Sequence, residues 1–331
     1  MVLVRWVWLL CAGVILLGAA CWGEDYAGQT QLQMTAVAPT SSPKGNQRVN
    51  QLAAPLVATP KAITPRVNEQ APHSTVLGYS AGGLPIASYT FGRGPQRVVL
   101  IGGIHGGAEW NTILLAYAAI DYFAEQPETI PPTLTLQIIP VANPDGQLLT
   151  VGRIGRFAAD EVKDTSLMGR FNAHGVDLNR NWDCNWNATG RLGKEEISGG
   201  AAPFSEKETQ ILRDFLLKPT PARGVIFWHS AVPGVFAGGC RTRYAAAEKL
   251  AEVYANAAGY PYGDAFSYYP VTGDATNWLS LQGIPAIVVE LRSHTEVEWD
   301  ENLAGTLQSL TYLAGLDYTP KECALGACLL P

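Results

Sequence analysis

The apolar run at residues 98–104 and the polar residues after it constrain the fold of this chain more than any other stretch. Strand-forming residues lead into two glycines, which is typical of a buried strand ending in a loop, and the residues from Trp110 onward have helical spacing. Open α/β sheets place their ligands at the carboxyl ends of strands. His105 and Glu109 would lie at such an end, where a metal could bind. The alternative is a glycine-rich turn with a solvated histidine and a glutamate in the first helical turn.

Other segments extend the strand–helix pattern. Strands are predicted at 76–79 and 85–91 as a hairpin, and at 98–104, 134–141, 224–228 and 286–290. Helices are predicted at 111–125, 205–217, 245–258, 276–281 and 297–313, the second of them opened by a capping box at 205–208. Residues 143–146 have a turn sequence, and 147–204 form a long loop of the kind that carries sites. The alternation predicts an α/β sheet covered by helices on both faces.

Three of these strands end in residues suited to metal chemistry. His105 and Glu109 follow the first, His229 follows the second and Glu290 ends the third. Two imidazoles and one carboxylate are the ligand set of a catalytic zinc that keeps a position open for water. Glu290 is then the carboxylate left to act as a base. Structural readings stay open, since His229 could be a core histidine beside Trp228 and Glu290 could pair with Arg292.

The stretch Gly175-Val-Asp-Leu-Asn-Arg-Asn-Trp182 adds a resemblance to a known family. Together with Gly103-Ile-His105, Glu109-Trp110, Asn143-Pro-Asp-Gly146, Ser205-Glu, Glu208, His229-Ser230, the segment 269–278 and Glu290-Leu-Arg292, it resembles the zinc carboxypeptidases of the carboxypeptidase A type, the M14 peptidases. The resemblance covers roughly residues 75 to 315 in the family's order. It implies a single catalytic domain with a mixed central β-sheet and helices on both faces.

The resemblance also implies roles for individual residues. His105, Glu109 and His229 would bind one Zn²⁺ per chain, and Glu290 would be the general base. Arg170 would stabilise the tetrahedral oxyanion, although Arg153 or Arg156 could serve instead.

The remaining implied roles concern the substrate. Asn179 and Arg180 would hold its terminal carboxylate, a task suited to a planar guanidinium. Tyr269 matches the family's mobile tyrosine, or is half of an exposed aromatic pair with Tyr268. Thr276 falls where the family's selectivity residue lies. Asp274 could read a basic or amino-bearing C-terminal residue, or cap the following helix.

The chain departs from the family pattern in two places. Three residues separate His105 from Glu109, where the family has two, and the glycines between them could absorb the difference. Ala231 replaces an aromatic residue that often follows the His-Ser pair, which indicates a differently shaped cleft. The histidines at 73, 174 and 294 match no ligand of the family.

Composition and the amino-terminal sequence bear on location. With 23 basic and 29 acidic residues in 331, the chain has no basic block that would follow phosphates, so nucleic acid is not an expected partner. Residues 1–21 resemble an export signal, with Arg5 before an apolar run, and the small residues before Cys21 loosely match a lipidation site. A lipoprotein, a secreted protein and an uncleaved anchor are the alternatives. Each places the body of the protein outside the cytoplasm, in or beyond the cell envelope.

These features predict a domain organisation. It comprises a signal at 1–21, a disordered spacer rich in Pro, Thr and Gln at 22–73, the catalytic domain at 74–318 and a tail at 319–331. Cys184 and Cys240 in the domain and Cys323 and Cys328 in the tail allow one or two disulfides, with connectivity open.

The resulting expectation is an exported, membrane-tethered zinc carboxypeptidase that acts on peptides with a free C-terminus. Two alternatives remain. One is an amidase of the same fold that cleaves the D-glutamyl–diaminopimelate bond of murein peptides. The other is a peptide-binding module that has lost catalysis because of the altered ligand spacing.

Overall fold

The computed structural model describes residues 73–263, 266 and 268–316. The strands are β1 (His73–Tyr79), β2 (Pro85–Gly92), β3 (Gln96–Ile101), β4 (Leu134–Ile139), β5 (Thr189–Leu192), β6 (Glu195–Ser198), β7 (Gly224–Ser230), β8 (Gly234–Ala237), β9 (Tyr262–Gly263) and β10 (Ala286–Leu291). The helices are α1 (Trp110–Glu125), α2 (Pro144–Val151), α3 (Lys207–Leu217), α4 (Ala245–Ala258), α5 (Ala275–Leu281) and α6 (Trp299–Ala314). None of the helices within these described ranges has the length and apolar character needed to cross a bilayer.

Eight strands form one mixed sheet in the order β1-β2-β4-β3-β7-β10-β8-β9, and β5 and β6 form a separate hairpin. β4, β3, β7 and β10 run parallel, so their carboxyl ends lie along one edge. On either side of this parallel centre the pairing is antiparallel, between β4 and β2, β2 and β1, and β10 and β8. The predicted α/β fold with a mixed sheet in a single domain is confirmed.

Alternation along the central strands divides the core between the two faces of the sheet. In β7, Ile226 and Trp228 pack into the cluster that contains residues of α1, α4 and α6, whereas Val225 and Phe227 pack into the cluster with residues of α3 and α5. Successive side chains of a strand point to opposite faces. His229 therefore continues the face of Phe227, toward α5 and the loop at 177–184. Because Glu290 pairs in register with His229 in the neighbouring parallel strand, both side chains share that face.

Three local predictions were wrong. Residues 147–204, predicted as a loop, contain the rest of α2 and the β5–β6 hairpin. Residues 143–146 begin α2 rather than forming an isolated turn, because Asn143 caps the helix by accepting a hydrogen bond from the Gly146 amide and Pro144 suits its first turn. Ser205 and Glu208 do not form a capping box, and α3 begins at Lys207. Asn181 donates to the Ser205 hydroxyl, and Glu208 accepts from the amide of Ala81 instead. The side chains of Ser205 and Glu208 thus form hydrogen bonds with distant residues instead of capping the helix.

One disulfide joins Cys184 to Cys240, with their Cα atoms 5.8 Å apart. It links the loop after Arg180 to the segment that follows β8. The predictions for residues 1–72 and for Cys323 and Cys328 concern positions outside the described residues.

Candidate active site

Three buried side chains converge at the carboxyl ends of β3 and β7. Nδ1 of His105 lies 2.6 Å from Oε1 of Glu109, and Nδ1 of His229 lies 3.1 Å from Oε2 of the same carboxylate. The two Nδ1 atoms are 3.1 Å apart. One ligand atom from each of the three residues lies within 4.8 Å of the others. Two imidazole nitrogens and a carboxylate in this arrangement match the protein ligands of a catalytic zinc site.

The segment between the first two of these residues is a 3-10 turn, Gly106–Glu109. Gly106 has a φ of 48°, and a Cβ atom on Gly107 would lie 1.8 Å from Oγ1 of Thr150. Both positions therefore require glycine. The tight turn brings His105 and Glu109 together despite the extra residue between them.

Asp177, which the sequence reasoning left without a role, lies beside His105. Its Oδ1 lies 3.4 Å from Nε2 of His105, so a His105 that bound a metal through Nδ1 would turn its remaining ring proton toward Asp177. Burial would raise the pKa of Asp177, but the Arg170 guanidinium holds it well below its usual range. Asp177 lies two residues before Asn179, inside the stretch that carries the family resemblance. This position was the sequence signal that could have identified it as a site residue.

Glu290 lies beside this cluster and is almost fully buried. Its Oε2 accepts a 3.2 Å hydrogen bond from the Val232 amide, and its Oε1 has no donor among the described residues. Arg292 contacts Glu298 and Glu301 instead, so the pairing with Glu290 considered from the sequence does not occur. Burial raises the pKa of Glu290 to about 7, while the nearby His229 opposes the rise. A carboxyl group with this pKa can take up and release a proton near neutral pH.

The raised pKa predicts a pH-dependent gain in stability for Glu290→Gln. The folded protein holds this proton up to about pH 7, whereas the unfolded chain releases it near 4.5. Wild type therefore loses stability as pH rises between these values, and glutamine does not. In metal-free protein, the variant's advantage should be about 2–3 kcal/mol larger at pH 8 than at pH 5. Denaturant unfolding of wild type and variant at pH 5 and pH 8 measures this difference in free energy of unfolding. Glu252→Gln, at a half-buried surface carboxylate that pairs with Lys249, is the control, and equal differences at the two pH values would refute the assignment.

Arg170 is the arginine that reaches the cluster. Its Nε donates to Asp177 at 2.6 Å, and its Nη1 donates to Oε1 of Glu109 at 3.2 Å. Arg153 and Arg156, the other candidates, lie on the surface paired with Glu161 and Asp121.

Asn179 and Arg180 lie on the adjacent loop, and both are buried. The Arg180 guanidinium donates to the carbonyl oxygens of Asn179 and Arg191 with three of its five N–H groups, which leaves one N–H on each terminal nitrogen. Those two N–H groups form a fork of the geometry that binds a carboxylate through two hydrogen bonds.

Asp274 caps α5 and holds its neighbours. Its Oδ1 accepts from the Thr276 hydroxyl and from the Asn277 amide, and its Oδ2 accepts from Nδ2 of Asn179. The helix-capping alternative is therefore confirmed. Both carboxylate oxygens are engaged by the protein.

Two cavities meet at the cluster. The first, of about 500 Å³, is called here the arginine cavity; it contains Asn179, Arg180, Asp274 and Thr276 on its walls together with Phe236, Phe266 and Val288. The second, of about 640 Å³, is called the histidine cavity; it is lined by Trp110, Leu167, Leu192, Val232 and His294. His105, Arg170, Tyr269 and Glu290 line both.

Tyr269 stands at this junction. Its ring packs 4.9 Å from Phe266 and 5.9 Å from the Arg180 guanidinium. Tyr268, in contrast, is 65% exposed. Burial raises the pKa of Tyr269, which keeps its phenol protonated and able to donate. The predicted ligands, base, arginines and tyrosine are thus brought together around two connected cavities.

Comparisons with known proteins agree with this geometry. A sequence model of the family described as zinc carboxypeptidase, Peptidase_M14, matches residues 66–303. Carboxypeptidase A2 of Rattus norvegicus is 29% identical over 187 residues, which cover 53% of this chain and 41% of that protein. A protein of Ajellomyces dermatitidis named inactive metallocarboxypeptidase ECM14 is 30% identical over 141 residues, 40% of this chain and 23% of that protein. The chain spans less than half the length of either relative.

Solved structures share the fold. Thrombin-activatable fibrinolysis inhibitor superposes with a TM-score of 0.60 at 21% identity, covering 74% of this chain and 70% of the other. Murein-tripeptide amidase MpaA from Escherichia coli O157 superposes with a TM-score of 0.52 at 20% identity, covering 75% and 94% respectively. At these identities the likeness concerns the fold.

Proposed function

Because the chain belongs to the M14 family of zinc carboxypeptidases, we propose that it is a zinc-dependent metallocarboxypeptidase that hydrolyses the C-terminal peptide bond of peptides. The observation that carries this proposal is the arginine cavity. Its walls join the Asn179 and Arg180 donors to Glu290 and the two histidines of the cluster. A substrate whose terminal carboxylate meets Arg180 would present its last peptide bond to Glu290.

The residues of the cluster fit zinc. The two Nδ1 atoms lie 3.1 Å apart beside the Glu109 carboxylate, so a cation bound there would meet two nitrogen ligands and a compensating negative charge. Asp177 would accept the Nε2 proton of a His105 that binds the metal through Nδ1. When bound, Zn²⁺ would supply a Lewis acid that polarises the scissile carbonyl and lowers the pKa of water to about 7.

Protein groups would move the proton and stabilise charge. Glu290, with Oε1 open, takes a proton from the attacking water and passes it to the leaving amine. Arg170 lines both cavities and would stabilise the oxyanion through Nη2, while its Nε and Nη1 remain bound to Asp177 and Glu109. The neutral Tyr269 phenol closes over the bound substrate as a donor.

The arginine cavity favours a neutral C-terminal side chain. Phe236, Phe266 and Val288 provide apolar walls. We assign Asp274 to positioning Asn179 and Thr276 rather than to reading a basic residue, because both of its oxygens are engaged. Large apolar and aromatic termini fill such a cavity best.

We also propose that the protein acts outside the cytoplasm, tethered to a membrane or secreted. The proposal rests on the apolar run that follows Arg5. The Cys184–Cys240 disulfide supports it, since such bonds persist in oxidising compartments.

One experiment tests the activity and its alternatives. The zinc-loaded full chain is incubated with L-peptides ending in Phe, Lys or Arg, with the C-terminal amide of the Phe peptide, and with murein tripeptide. We expect mass spectrometry to show release of Phe from the free acid and no release from the amide. Cleavage of the murein tripeptide alone would establish the amidase, and tight binding of intact peptides would establish a binding module.

Arg180→Ala should raise KM for the Phe peptide by about 100-fold, since charged hydrogen bonds to the terminal carboxylate are lost. Arg153→Ala removes a surface arginine with the same charge and should leave KM unchanged. Equal KM values for the two variants would contradict the assignment of the carboxylate site.

A further inference from the structure

His294 lies in the histidine cavity, on the loop that follows β10, and the family resemblance gives it no role. Its Nδ1 is 3.1 Å from the hydroxyl of Ser230, the residue after the candidate ligand His229. The Ser230 amide in turn donates to Glu109 at 3.2 Å. One serine therefore connects the His294 ring to the candidate metal centre.

The donors and acceptors in the hydrogen bonds that join Asn111, Ser230 and His294 follow from the contacts of Asn111. Its Nδ2 donates both hydrogens, to the carbonyl oxygens of Ser293 and Glu296. Its Oδ1 must therefore accept from the Ser230 hydroxyl, 2.9 Å away. Since that hydroxyl has already donated its hydrogen, Ser230 Oγ can only accept from His294. The ring proton of neutral His294 consequently resides on Nδ1.

The other ring nitrogen, Nε2, then carries a lone pair. It has no hydrogen-bond partner among the described residues, and His294 is an exposed residue that lines the cavity. The same cavity is lined by apolar side chains of Leu167, Leu192 and Val232 and by the polar Thr165 and Thr295. An acceptor with a defined orientation in this cavity can pair with a donor on a bound molecule.

Under the proposed function, which this inference deepens, the residues upstream of the scissile bond occupy the histidine cavity, because the terminal carboxylate occupies the arginine cavity. We propose that Nε2 of His294 accepts a hydrogen bond from the main-chain N–H of the residue on the amino side of the scissile bond. His294 is thus a specificity residue that favours substrates linked by an amide at that position over substrates linked by an ester.

Two substrates that differ in this one group test the proposal. N-benzoyl-glycyl-phenylalanine carries the N–H, and O-benzoyl-glycolyl-phenylalanine has an oxygen in its place; the bond to phenylalanine is the same. With zinc-loaded full chain, kcat/KM of wild type should be about tenfold higher for the first, the effect of one hydrogen bond. His294→Ala should lose this preference through a lower kcat/KM for the N–H substrate, with the other value unchanged.

Two variants separate binding from loop structure. His294→Asn keeps a donor near the Nδ1 position for Ser230 and lacks Nε2, so it should retain the wild-type Tm and lose the preference. His294→Gln places an amide oxygen near the Nε2 position and should restore part of it. An unchanged ratio of kcat/KM values in His294→Ala would overturn the proposal. If wild type released phenylalanine from neither substrate, the proposed function itself would fail.

Discussion

Glu290→Gln is expected to lower kcat for C-terminal hydrolysis by about 10³-fold while leaving KM nearly unchanged. Glutamine keeps the size of the side chain and can still accept from the Val232 amide, so the cavity retains its shape. It cannot take a proton from water, and general-base catalysis contributes about 10²- to 10⁴-fold. Steady-state kinetics on the Phe-terminated peptide measure the effect.

Two control measurements test whether the loss of activity comes from the missing base. The variant should retain one zinc per chain, since Glu290 is not among the three clustered side chains. Glu252→Gln, which removes a half-buried surface carboxylate, should keep full activity. If Glu290→Gln retained more than a tenth of the wild-type kcat, another group would have to be the base.

Removal of zinc is expected to abolish activity and to lower stability. We expect one equivalent of zinc per purified chain, and chelation should reduce hydrolysis below 1% of the initial rate. Zinc present at about 100 times its Kd stabilises the folded state by about 2.7 kcal/mol, so the metal-free protein should have a lower Tm. Re-addition of zinc should restore both properties.

Substitutions in the cluster should reproduce this loss. His229→Ala removes one nitrogen ligand and should abolish both zinc content and activity. His174→Ala is the matched control, because His174 pairs with Glu206 and its side chain is 58% exposed. Wild-type protein that held no zinc yet bound peptide would instead be a binding module, and one relative of this chain is named an inactive metallocarboxypeptidase.

Periodicity and turn chemistry were sufficient for the central architecture. α4 spans the predicted residues 245–258, and the apolar runs became β3, β7 and β10 because strands buried on both faces carry few polar residues. Local patterns failed at the starts of α2 and α3. There the side chains had tertiary partners, such as Asn181 for Ser205, that sequence spacing does not reveal.

The candidate ligands were visible in the sequence as polar residues at strand ends, and the parallel order of β3, β7 and β10 explains why they meet. The orienting groups were not visible. Asp177 contacts His105, and Asn111 determines the tautomer of His294, across 72 and 183 positions of the chain respectively.

The sequence alone thus determined the class of fold and indicated the candidate ligands and the candidate base, because these depend on residue identity and short-range periodicity. The tertiary structure decided which arginine reaches the cluster, that Asp274 caps a helix, and which residues line each cavity. Those outcomes depend on distances between residues far apart in the chain, and hydrogen bonds form only within about 3.5 Å.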